Sequence, residues 1–279
     1  MNIKLSIIID NCVFSPGLKS EHGFCMFIET PKNKILFDTG QSSMLIENSL
    51  KMGIDLKKIT KIILSHGHYD HTGGLLSLLE YINKEVEIYS HRDIFEKKYS
   101  RRRENSLRYI GIAENKSFYE RFRAKFIFIK GPLEIEKGIF ISGQVPRLSD
   151  FEHVEDYFVK KVNGGFIKDE IGDDMSFIAS SKNKNILVTG CAHSGIINII
   201  KYAVNVTGVN NFKLISGGFH LINKKKEYIL KVIDNLKQVK LEYISPTHCT
   251  GVTATCLIKS RIGNKVMDAG VGAKFDYDI

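Results

Sequence analysis

Apolar positions along the chain follow two periods. Runs of consecutive or alternating Ile, Leu, Val and Phe at 3–9, 24–29, 34–38, 61–65 and 86–90 predict strands, whereas 42–52 and 74–83 carry the 3.6-residue repeat of amphipathic helices. Further strands are predicted at 126–129, 139–142, 176–180 and 185–189. A simpler rhythm follows: helix 195–206, strand 213–216, helix 225–239, strand 242–245 and helix 252–261. Two strand-rich halves, each with helices, predict an α/β protein of two packed sheets covered by outer helices. The reading is one domain over 1–279, with 91–174 as a loop-rich insertion or cap. Repeats and low-complexity stretches are absent, and five prolines leave no Pro-rich linker.

Composition narrows the class. With 43% hydrophobic and 25% charged residues, the 279-residue chain has globular rather than disordered proportions. Its apolar runs stay short of the roughly 18 residues a membrane span needs. The run Leu5 to Ile9 ends at Asp10, too soon for a secretory h-region, so a cytoplasmic location and no membrane partner are expected. Five cysteines, an odd number without a C-x-x-C pair, argue against a disulfide framework or a four-thiolate zinc site. They read as small buried side chains, with Cys191 and Cys249 set apart because each lies close to a notable histidine. Net charge is +9, and 91–130 holds twelve Lys or Arg against five Asp or Glu. Its densest part is Lys97, Lys98, Arg101, Arg102, Arg103 and Arg108, a patch that attracts phosphates or simply forms a solvated face.

The stretch Ser65-His66-Gly67-His68-Tyr69-Asp70-His71-Thr72-Gly73-Gly74 joins a strand to a helix. In an extended loop alternate side chains share a side, so His66 and His68 can share a cation while Asp70 and His71 reach a second. Imidazole and carboxylate form the ligand set of zinc, iron or manganese. Two later strands end in histidine: Leu187-Val188-Thr189-Gly190-Cys191-Ala192-His193, and Ile244-Ser245-Pro246-Thr247-His248. Ligand sites of α/β layers gather at such strand ends.

These residues, His66, His68, Asp70, His71, His193 and His248 in that order, resemble the metallo-β-lactamase superfamily of αββα enzymes. The segment Phe37-Asp38-Thr39-Gly40 is similar to that family's first motif, in which the Asp braces the histidine loop by accepting an imidazole N–H. Glu21-His22-Gly23-Phe24, Cys191-Ala192-His193-Ser194-Gly195, Gly217-Gly218-Phe219-His220 and Thr247-His248-Cys249-Thr250-Gly251 together look like one branch. That branch contains dihydropterin-ribofuranosylaminobenzene phosphate synthases, though most of its members carry only the label metal-dependent hydrolase. The superfamily's bridging Asp is missing, because the strand 213–216 leads to His220 with no acidic residue. His220 then reads as a terminal ligand, a proton donor, or a residue lining the site.

The resemblance implies one or two divalent cations, zinc first, with manganese, iron or magnesium as alternatives. His66, His68 and His193 would hold the first, and Asp70, His71 and His248 the second, with Asp70 orienting the water and His220 protonating the leaving group. A cation on three imidazoles brings the pKa of a water to about 7. The basic segment implies a small anionic, phosphate-bearing substrate, gripped by Arg101 and Arg102, with His22 binding substrate from a neighbouring hairpin. Asp173 and Asp174 read as a turn opening a strand, or as partners of a substrate amine. The expected activity is metal-dependent hydrolysis. Alternatives are transfer of a dihydropterin methyl group to an arylamine ribose phosphate, and RNA cleavage. Aromatics are not interleaved with the Lys/Arg run, which argues against nucleic acid. Self-association is left open.

Overall fold

The computed structural model describes residues 1–101 and 106–279, so Arg102 and Arg103 lie outside the described residues. Along the chain, β1 (Asn2–Ile9), β2 (Cys25–Glu29), β3 (Lys34–Phe37), α1 (Met44–Lys51), β4 (Lys61–Ile63), α2 (Tyr69–Thr72), α3 (Leu75–Ile82) and β5 (Val86–Ser90) come first. The middle holds β6 (Lys98–Arg101), β7 (Leu107–Tyr109), α4 (Lys116–Glu120), β8 (Ala124–Phe128), β9 (Leu133–Glu136), β10 (Ile139–Ile141), β11 (Phe158–Val162) and β12 (Gly165–Lys168). The last part is β13 (Ser176–Ser180), β14 (Asn185–Thr189), α5 (Ile196–Thr207), β15 (Asn211–Gly218), α6 (Lys226–Leu236), β16 (Lys240–Thr247), α7 (Val252–Ile262) and β17 (Lys274–Asp278).

Two mixed sheets form the body, in the orders β17-β1-β2-β3-β4-β5-β8 and β16-β15-β14-β13-β10-β9. Strand periodicity explains how they stack. Ile35 and Phe37 face inward to a core shared with Phe177, Ile186, Val188 and Leu214 of the other sheet. Leu36 and Ile62 point the opposite way, onto Leu45 of α1 and Leu75 and Leu78 of α3. Likewise Leu187 and Ile215 turn outward onto Ile196 and Ile200 of α5 and Val232 of α6. Each central strand is therefore apolar on both faces, and the result is a four-layer αββα sandwich. Replacing Phe37, fully buried between the sheets, by Ala should cost about 3–5 kcal/mol.

The stretch 91–174 divides its strands. β8 extends the first sheet, β9 and β10 extend the second, and β6, β7, β11 and β12 form a separate four-stranded sheet in the order β12-β11-β6-β7. That small sheet is largely solvated, with β7 and β12 exposed along their whole length. It packs through Ile110, Val154, Phe158 and Ile171 against Tyr69 at the edge of the body. No helix among the described residues is long and apolar enough to cross a membrane.

Candidate metal centre

One edge of the sandwich collects the polar strand ends. Asp10 and Asn11 follow β1, Asp38 follows β3, His66 to His71 follow β4, His193 follows β14, His220 follows β15 and His248 follows β16. Four of these tips are strained: Asp38, Ala192, His220 and His248 have φ of 60°, 59°, 48° and 49°. Such left-handed backbone costs of order 1–3 kcal/mol per residue and gathers where function requires it.

Asp38 organises the histidine loop. Its Oδ1 accepts the Ser65 N–H at 2.7 Å, and its Oδ2 accepts both the Ser65 hydroxyl at 2.7 Å and His71 Nδ1–H at 2.7 Å. Because the Ser65 hydroxyl spends its proton on Asp38, it can only accept from His66 Nδ1, 2.9 Å away. His248 Nδ1 in turn donates to Asn11 Oδ1 at 2.9 Å, an oxygen whose identity is fixed by the Gly23 N–H that also donates to it at 3.1 Å. In all three imidazoles the proton is held at Nδ1, and the Nε2 lone pair faces the centre. His248 is further placed by Asp10, whose buried carboxylate accepts the His248 N–H at 2.9 Å. Burial pushes the Asp10 carboxyl up to about 7.

The inward nitrogens converge. His66 Nε2 lies 3.0 Å from His68 Nδ1, and His71 Nε2 lies 3.2 Å from His248 Nε2. Two imidazoles on one tetrahedral cation, at about 2.0–2.1 Å each, stand about 3.3 Å apart. Both ring nitrogens of His193 are buried without a hydrogen-bond partner among the described residues, and a cation beside His66 and His68 would satisfy one of them. Donor atoms of His66, His68 and His193 lie within 4.8 Å of one another, as do those of Asp70, His71, Cys191 and His248, and those of Cys191, His193 and His220. The residues present therefore fit one or two transition-metal ions.

For four of the six histidines the electrostatics agree with neutral ligands. Burial holds His66 and His193 well below the usual imidazole range, with neighbouring imidazoles adding to it, and takes His68 down to about 3 and His248 to about 4. His71 differs: burial opposes its charge, but Asp38 and Asp70 lift its pKa to about 9. Burial likewise opposes the charge of His220, and Cys249 and Glu155, whose Oε2 is 3.4 Å from His220 Nε2, lift it to about 10. Asp70 Oδ2 sits 3.2 Å from His22 Nε2, 3.6 Å from His248 Nε2 and 3.8 Å from His71 Nε2.

The loop itself is clamped from beneath. The Gly67 N–H donates to Asp173 Oδ2 at 2.8 Å, and Lys98 Nζ donates to Asp173 Oδ1 at 2.8 Å and to Asp169 Oδ2 at 3.1 Å. A Cβ on Gly67 would stand 2.4 Å from the Ile94 carbonyl oxygen, so only glycine lets the loop lie this close. Asp174 accepts the Ser194 N–H at 2.7 Å. Asp173 and Asp174 are both buried in these contacts, facing the backbone of the two histidine loops rather than a substrate.

A cavity of about 350 Å³ opens over the histidines. His22, half exposed and touching Asp70, lines it, as do His68, Asp70, His193 and His220. Phe158 of β11 roofs it, its ring stacked on His68 at 5.3 Å and edge-on to His193 at 5.2 Å. Among the described residues, the Lys or Arg that lines the cavity is Arg108, stacked over the Tyr69 ring at 4.9 Å. Arg101 is exposed and does not line the cavity. Ser100 pairs with Arg108, and alternation along β6 turns Arg101 to the other face.

Sequence reasoning missed several members of this site. Asp10 carried a signal, a charge closing an otherwise apolar run. Asn11, Ser65, Glu155 and Phe158 carried none.

Two packed sheets with imidazoles, a carboxylate and a thiol gathered at their strand ends define a metal-site protein of the αββα class. Residues 20–154 match the model of the metallo-beta-lactamase superfamily. Over 250 residues the chain is 37% identical to "uncharacterized protein MJ0448" of Methanocaldococcus jannaschii, covering 90% of this chain and 91% of that one. Over 262 residues it is 31% identical to the same organism's 7,8-dihydropterin-6-methyl-4-(beta-D-ribofuranosyl)-aminobenzene-5'-phosphate synthase, covering 91% and 89%. The solved structure of Tm1679, a metal-dependent hydrolase of the beta-lactamase superfamily, superposes with a TM-score of 0.86 at 29% identity over 99% of this chain and 100% of that one. The chain belongs to the metallo-β-lactamase superfamily.

Proposed function

We propose that this protein is a metal-dependent hydrolase acting on a small phosphate-bearing molecule. The observation that carries this reading is the convergence of His66 Nε2, His68 Nδ1 and His193 on one point beneath a cavity with Arg108 at its mouth. His66, His68 and His193 would hold one cation, and Asp70, His71 and His248 a second. A divalent cation so held supplies a water acidified to near neutrality and a Lewis-acid contact for a phosphoryl oxygen. The chain's own residues do the rest. Asp70 accepts a hydrogen bond from the attacking water and keeps its lone pair aimed at the substrate. His220, kept protonated by Glu155, donates its proton to the leaving oxygen. Arg108 holds the phosphate, and Phe158 excludes bulk water from the histidines.

Group transfer is the second reading, and the 31% identity to the synthase over nine-tenths of the chain favours it. The same residues would then hold the diphosphate of a dihydropterin methyl donor while an arylamine ribose phosphate attacks in place of water. Tyr69 and Phe158 offer ring faces to a pterin at the cavity wall. One experiment separates the readings. Protein reconstituted with Zn, Mn or Fe is incubated with phosphate esters and, separately, with the dihydropterin diphosphate plus the arylamine, and products are resolved by mass spectrometry. Ester cleavage supports hydrolysis, and the C–N coupled product supports transfer. Absence of both, together with an unchanged result for His68→Ala, would overturn the proposal.

A further inference from the structure

The superfamily's bridging carboxylate is missing from this chain, yet the space between the two donor groups is not apolar. Cys191 lies there, at the tip of β14 and two residues before His193. Its Sγ is 3.2 Å from His71 Nε2. Cys191 is the residue common to two donor groups, one with Asp70, His71 and His248, the other with His193 and His220. His193 also belongs to the group with His66 and His68. The thiol is therefore within ligand reach of the cation position of Asp70, His71 and His248 and also adjoins His193, and no other described side chain belongs both to the Asp70 group and to a group containing His193. Cys191 is buried, at 3% exposure, and is a free thiol.

We propose that Cys191, at the tip of β14, supplies a thiolate to the metal centre, the anionic ligand that the tip of β15 lacks. This rests on the metal reading above. The thiol proton leaves as the cation binds, since a coordinated thiol is deprotonated outright. The second buried thiol, Cys249, belongs to none of the donor groups and lies against the Cys191 carbonyl oxygen at 3.4 Å. A soft sulfur ligand beside imidazoles selects zinc or ferrous iron over magnesium. The centre should therefore hold its second ion in zinc or iron form and lose it in magnesium.

The test is cobalt(II) titration of the metal-stripped protein, followed by absorption spectroscopy and equilibrium dialysis. The expected result is two cobalt ions per chain and a sulfur-to-cobalt charge-transfer band in the near ultraviolet. Cys191→Ser should abolish that band and weaken the second ion about tenfold or more. Cys249→Ser should keep the band. Cys191→Asp should restore two-ion binding without the band, which separates a ligand role from a packing role. A band that survives Cys191→Ser, or that vanishes only with Cys249→Ser, would overturn the inference, as would one-ion binding without a band in the unmutated protein. Binding of no cobalt at all would overturn the metal reading itself.

Discussion

Asp38 Oδ2 and His71 Nδ1 stand 2.7 Å apart with both side chains fully buried. The same carboxylate holds Ser65, and Ser65 faces His66. One residue therefore fixes the orientation of two imidazoles assigned to different cations. Asp38→Asn tests this cleanly, because Asn tolerates the left-handed backbone at this position but offers an amide where a carboxylate accepted three hydrogen bonds. Metal affinity measured by chelator competition should fall about 10- to 100-fold, with the fold retained by circular dichroism. Unchanged affinity would remove Asp38 from the centre.

Gly190 tests the same network from the opposite wall. A Cβ there would stand 2.2 Å from Ser65 Oγ and 3.1 Å from Asp38 Oδ2, all of them buried. Gly190→Ala should cost about 1–3 kcal/mol in urea unfolding and should also weaken metal binding. A stability loss with full metal affinity would show that Ser65 does not transmit to the imidazoles.

Lys98 is the buried cation of the loop clamp, at 1% exposure. Burial works to lower its pKa, but Asp173 and Asp169 raise it above the ordinary 10.5. A folded-state pKa above the unfolded one means the stabilisation is complete below about 10.5 and disappears as pH rises through the folded value. Lys98→Met leaves two buried carboxylates without their partner and should destabilise by about 3–5 kcal/mol at neutral pH. Denaturation curves for both proteins should converge as pH climbs beyond about 10.5. A gap that stays constant to strongly alkaline pH would contradict the pairing.

Arg108 and Arg101 sit seven positions apart on adjacent strands but on opposite faces of their sheet. If the cavity takes a phosphate, Arg108→Ala should raise KM for a phosphorylated substrate about ten- to a hundredfold. Arg101→Ala should leave KM unchanged. The reverse pattern would place the anion outside the cavity.

The sandwich was legible because its strands are buried on both faces. β5, β13 and β14 coincide with the apolar runs that announced them. The small sheet was not legible: β7 and β12 are short and exposed throughout, apolar side chains included, so no alternation of a buried and a solvated face marks them. β17 pairs with β1 across the whole length of the sequence, a partnership that no local pattern encodes. The same physics divides the site. His66 to His71 crowd into six positions, and His193 and His248 each end a buried strand, so their convergence could be read. Asn11, Glu155 and Phe158 reach the centre only through tertiary contacts with His248, His220 and His68. Arg108 was visible as one charge among many, and only strand register distinguishes it from Arg101.

Transition-metal ions held by the strand-tip histidines would scatter X-rays anomalously at their own absorption edges. Anomalous scattering at the zinc, iron and manganese edges, from crystals of protein purified without chelator, tests their presence most directly. A peak is expected within about 2.0–2.1 Å of His66 Nε2 and His68 Nδ1 and in reach of His193, and a second among Asp70, His71, His248 and Cys191. Absence of any peak there, in crystals soaked with each metal in turn, would contradict metal binding by these histidines.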